Sequence, residues 1–133
     1  MTPQPAGRPG ARDGVAPPGW PSEVPPPGVP GWERRAIAFL FDQCPPDFRG
    51  YDVLRRQPVV LARIAAGQVG SAIEACRRGL ATARADLRGV VTPEVIDETI
   101  ALYEREGARL THVEQAVRLV ETALQGRRFV PRL

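Results

Sequence analysis

Few residues in this chain are equipped for chemistry, and their spacing decides most of the functional question. There is one histidine, His112, and there are two cysteines, Cys44 and Cys76. His112 falls between Leu110 and Val113 with no second histidine to complete a metal set. Two cysteines make neither a disulfide framework nor a thiolate cluster. No HExxH, CxxC, Walker loop, GxGxxG or GxSxG pattern occurs. No metal and no cofactor is therefore expected. His112 reads as a surface side chain and Cys76 as a small buried hydrophobe.

Glu106 is the one charged residue that falls where an apolar residue is expected, nearly opposite Cys76 on a hydrophobic seam. A carboxylate there needs a partner, and Arg77, Arg78 or Arg109 is within reach. Paired, it would be a buried polar contact that fixes the register of two helices. Snorkelling at the edge of the stripe, with Gly107 as the inward neighbour, is the plainer alternative. Catalysis would need a second polar group converging on Glu106 in a cavity. No arginine lies on the seams to supply one, so a small helical enzyme with a Glu/Arg pocket ranks last.

The seam belongs to two long helices. Val59, Ala62, Ala66, Val69, Ile73, Cys76, Leu80, Ala83 and Leu87 step by alternating threes and fours, the spacing that keeps one apolar stripe on a partner helix. Pro58 suits a first helical position. The turn Arg88-Gly89-Val90-Val91 follows, then Thr92 as a cap and Pro93 at the next helix start. Ile96, Thr99, Tyr103, Glu106, Leu110, Val113, Val117, Val120 and Leu124 repeat the alternation, and Gly126 is placed for a left-handed stop. So short a turn forces antiparallel neighbours, with Leu80 near Tyr103 and Val59 near Leu124. Residues 58–89 carry five arginines against two acids, and residues 92–125 carry three against seven. A basic arm thus lies beside an acidic one.

Trp32 to Gln43 reads as a short helix stopped by Pro45 and Pro46. Its centre, 36–41, is apolar all round, so it must be covered on two sides. The hairpin supplies one cover; residues 48–54 or a second subunit would supply the other. The expected fold is therefore all-α: a long antiparallel hairpin plus a short hydrophobic helix, bundle-like with three helices, and with a face on which to dimerise. Its domain spans 32–125, with helices at about 32–43, 58–88 and 93–125 and a linker over 44–57. Within that linker Phe48, Tyr51 and Leu54 are expected to tuck inward, Asp52 to cap a turn, and Arg49, Arg55 and Arg56 to face solvent or clamp an anion.

Residues 1–31 hold ten of the fifteen prolines and six of the thirteen glycines. Such a stretch is expected to be a disordered tail, with 24–30 able to form a short polyproline helix. Residues 126–133 form a basic tail. Gly67 and Gly70 inside the first long helix predict close packing by another helix, or else a kink.

The chain has 133 residues, a net charge of +3 and a pI near 9.5. All eighteen basic residues are arginine, a usage that codons of a GC-rich genome explain. No secretion signal or membrane span is expected, because the longest apolar run is 36–41; a cytoplasmic, reducing setting is. These features favour a non-enzymatic helical module that binds a protein partner or a second copy. Its expected contact residues are Trp32, Ile37, Phe39, Leu40 and Phe41 on the short helix and Arg127, Arg128, Phe129 and Leu133 in the tail. A nucleic-acid-associated role for the arginines is the alternative, disfavoured because the basic arm is already paired with an acidic one and no aromatic–basic stripe appears.

Overall fold

The computed structural model describes residues 15–128. It holds four α-helices and one 3-10 turn, with no strand among the described residues. Helix α1 spans Trp32–Phe41, the 3-10 turn Pro46–Gly50, α2 Asp52–Arg56, α3 Pro58–Leu87 and α4 Pro93–Arg128. The all-α hairpin with a short hydrophobic helix is the architecture observed.

The hairpin turn follows from local chemistry. Gly89 takes φ +78°, a conformation that costs glycine little. The amides of Val90 and Val91 then both donate to the Leu87 carbonyl, at 2.9 and 3.2 Å. The Val95 amide donates to Thr92 Oγ1 at 3.3 Å, so Thr92 caps α4. Across the hairpin Arg63 pairs with Glu121, Tyr103 lies over Gly79, and Arg84 reaches Asp97 at 3.5 Å. This is the antiparallel register expected from the seam.

Helix α1 sits on the open end of that hairpin. Ala36, Phe39 and Leu40 join Leu61, Ala62, Ala65 and Val69 of α3 and Ala116, Val117, Val120 and Leu124 of α4 in one core. Leu40, Leu61, Val117 and Val120 have no solvent exposure. Each such aliphatic side chain is worth about 1.5–3 kcal/mol in burial. The last turn of α1 tightens through bonds from the Gln43 amide to Leu40 and from the Cys44 amide to Phe41, both 3.0 Å, so the α-helix ends at Phe41, two residues before its expected end.

Several expectations are overturned. Residues 15–31 are not a tail but a strap laid over α1 and α4. Prolines open successive turns, seen in bonds from Trp20 to Pro17, Val24 to Pro21 and Val29 to Pro26 at 3.0–3.2 Å. These turns, with Gly28 at φ +93°, also replace the expected polyproline run. Val24 is buried, and the Trp20 indole donates to the carbonyls of Val24 at 2.9 Å and Pro25 at 3.2 Å. Its ring stands 6.0 Å from that of Trp32. Proline lowers the entropy lost on ordering, and Trp20, Val24 and a 3.0 Å bond from Arg35 to the Glu23 carbonyl tie the strap to the helices.

Helix α3 runs unbroken through Gly67 and Gly70, and a Cβ at either would meet nothing within 4 Å. Neither a kink nor close packing within the chain explains them. Helix α4 continues two residues past Gly126. Tyr51 is exposed, while Phe48 is half-buried and Leu54 buried. Asp52 begins α2 and pairs with Arg56 at 2.7 Å instead of capping it. By length and composition α3 is apolar enough to cross a membrane, with a mean hydropathy of 1.3 over eighteen residues; dispersed alanines and valines raise that mean without a long apolar run. In this fold its stripe from Leu61 to Ile73 lies in the chain's own core.

Candidate interaction surface

The residues singled out for chemistry do not converge. Glu106 accepts two hydrogen bonds from Arg109, from Nη2 at 2.7 Å and Nε at 3.0 Å. Both residues lie on α4 three positions apart, and the Glu106 side chain is 40% exposed. The contact therefore does not cross the hairpin, and Glu106 does not set its register. The guanidinium of Arg109 holds the carboxyl below the usual carboxylate range by direct hydrogen bonding. Gly107, not Glu106, lines the open groove between the helices.

Cys44 is buried in the core; its thiol donates to the Leu40 carbonyl at 3.5 Å, and burial pushes its pKa up. Such a thiol is inert. Cys76 is half-buried, less enclosed than expected. His112 is exposed. Among the described residues no three His, Cys, Asp or Glu side chains gather as metal ligands would.

The expected contact face on α1 is occupied from within. Trp32, Phe39, Leu40 and Phe41 are buried and Ile37 is half-buried. The strap residues Trp20 and Val24 and the linker residues Phe48 and Leu54 supply the second cover that this all-round apolar helix needs. A second subunit is not required there: Trp32, Phe39, Leu40 and Phe41 are core, and Ile37 packs against its edge. The linker arginines are likewise engaged. Arg49 pairs with Asp42 at 2.7 Å and lies 5.8 Å from the Phe41 ring centre, Arg56 pairs with Asp52, and Arg55 donates to the Arg49 carbonyl at 2.6 Å. No anion clamp is assembled. The side chains of Arg127 and Arg128, and all of Phe129 and Leu133, lie outside the described residues.

What the sequence reading missed lies farther along the hairpin. The continuous core stops near Cys76 and Leu110; toward the turn, Ala83 and Ile96 are the buried apolar residues. An open groove of about 320 Å³ runs between the helices here, floored by Ile73, Cys76, Leu80, Tyr103 and Gly107 and flanked by Arg77 and Glu104. Its cause is a mismatch in side-chain size. Tyr103 leans onto Gly79, where a Cβ would collide with its ring. Gly107 contributes no side chain, and Leu80 is left 38% exposed. A second depression of about 320 Å³ lies nearer the turn, lined by Arg84, Arg88, Pro93, Ile96 and Asp97. Leu102, Val95 and Val90 of this same half are exposed as well. Gly79 and Gly107, beside the seam in otherwise strong helical patterns, were the signal: the first makes room for the Tyr103 ring, and the second adds no side chain to the groove.

Comparison with family models, with curated proteins and with solved structures finds no match to this chain.

Proposed function

We propose that this protein is a non-enzymatic helical interaction module, and that its binding surface is the turn-proximal half of the α3–α4 hairpin. The observation that carries this reading is the apolar groove around Leu80 and Tyr103, open along a half of the hairpin that no other described element covers. Unsatisfied apolar surface of this kind marks contact sites on proteins. The partner is another helical protein or a second copy of the chain, met in the cytoplasm, a compartment in keeping with two unpaired thiols. The surface is thus assigned away from α1, whose apolar residues are spent on the core.

Affinity capture from source cells at physiological salt tests this, with wild type and Leu80→Asp run side by side. A protein retained by wild type and lost from the variant is the expected result, whether it is a foreign partner or an untagged copy of the chain. Identical eluates from both, or nuclease-sensitive nucleic acid as the sole ligand, would overturn it.

A further inference from the structure

The hairpin groove has a polarity that selects its occupant. Its α3 wall is basic: Arg77 flanks the main groove, and Arg84 and Arg88 flank its continuation toward the turn. Its α4 wall is acidic: Glu104 stands opposite Arg77, and Asp97 opposite Arg84. Arg77 and Arg84 are one heptad apart, as are Asp97 and Glu104. The ion pairs these charges make within the chain are exposed and long, so a cross-protomer partner can replace or share them. Arg84 reaches Asp97 at 3.5 Å with the two side chains 67% and 71% exposed, and Arg77 pairs with Glu74 of its own helix, at 3.3 Å.

We infer that a second copy of this chain packs on the groove, hairpin against hairpin, about a two-fold axis running along it. This rests on the interaction-module reading and names its partner. Rotation about that axis carries the α3 wall of one protomer over the α4 wall of the other at the same height. Arg77 then faces Glu104 of the partner subunit, and Arg84 faces Asp97 of the partner subunit. Each contact occurs twice, as an isologous interface requires. A two-fold axis across the groove would instead set arginine row on arginine row, which like-charge repulsion disfavours. The exposed side of Leu80 and the ring of Tyr103 meet their counterparts on the axis. No side chain holds the partner off at Gly107 or at Gly70, one heptad before Arg77; a Cβ at either meets nothing within 4 Å.

The result is an antiparallel four-helix bundle over the half of the hairpin that α1 leaves bare. An arm about 27 Å long and two helices wide buries about 500 Å² per copy. That places the dimer at the small end of specific interfaces, in exchange with monomer.

Sedimentation equilibrium of the full chain over a wide concentration series reads the association. The mass should rise from 14.5 kDa toward twice that value. Arg77→Glu and Glu104→Arg, each alone, should stay at monomer mass. Their equimolar mixture should restore the dimer, because every cross-protomer pair is then opposite in charge, and the double variant R77E/E104R should dimerise by itself. Both sites are exposed, so an unchanged circular dichroism spectrum is expected for each. Wild type at monomer mass throughout, single variants as dimeric as wild type, or a mixture that stays monomeric would each overturn the inference. A monomeric wild type that still captures a foreign protein through Leu80 would sink the dimer and leave the interaction-module reading standing. A monomer that captures nothing would sink both.

Discussion

The two halves of the hairpin share one repeat and one register, yet one is a core and the other a surface. Near the open end, Leu61, Ala65 and Val69 face Val117, Val120 and Leu124, and all are buried. Near the turn, Leu80 occupies the same seam and is 38% exposed, and Leu102 is half exposed. The difference is the third layer. Helix α1 and the strap residues Trp20 and Val24 close the first half; nothing in the described chain closes the second. A heptad states which residues face the neighbouring helix, but two helices alone cannot enclose a leucine.

The sharpest way to break this comparison is to truncate matched leucines. Leu61→Ala removes a side chain with no exposure and should cost about 2–5 kcal/mol, measured by urea denaturation. Leu80→Ala, measured at a concentration where the chain is monomeric, should cost under about 1.5 kcal/mol, because much of that surface is already wet. Equal losses would erase the distinction between the halves.

The strap is tested next. Trp20→Ala removes the indole bonds to Val24 and Pro25 together with the tilted ring contact to Trp32, and should cost about 2 kcal/mol. A thermal midpoint equal to wild type would return residues 15–31 to the status of a tail.

Glycines sharpen the contrast within α3. Gly67→Ala meets open space and should gain about 0.5–1 kcal/mol from helix propensity. Gly79→Ala should forfeit that gain, because the new methyl must displace the Tyr103 ring; tyrosine fluorescence would report the movement. Equal gains at the two positions would show that the ring does not rest on Gly79.

The smallest effect concerns pH. The folded pKa of Glu106 lies below its ordinary value, through its hydrogen bond from Arg109. Its contribution is therefore complete above the unfolded carboxylate value of about 4.3 and fades as pH falls through the lowered folded value. Both partners are exposed, so Glu106→Gln should only slightly flatten the acid side of the stability profile. A large loss at neutral pH would restore Glu106 as a register-fixing contact.

Local chemistry was legible because it acts over a few residues. Pro58, the Gly89 turn and the Thr92-Pro93 start each act on their own backbone, and each stands where the spacing put it. Gly126 misled because glycine permits a helix to stop without compelling it, and α4 continues to Arg128. The groove was harder to see. It depends on Tyr103 leaning onto Gly79 of the other helix, and a single-helix pattern carries no information about which way a ring turns.

Sequence alone determined the all-α class, the hairpin, its register and the basic, aromatic-poor composition. All of these depend on residue type at short spacing or on the 3.6-residue period. Tertiary structure alone decided that Trp32, Phe39, Leu40 and Phe41 are core, that residues 15–31 join the fold, and that the open apolar face lies at Leu80. Burial depends on which elements remain to cover a surface once every other segment has been placed, and that is a property of the whole chain.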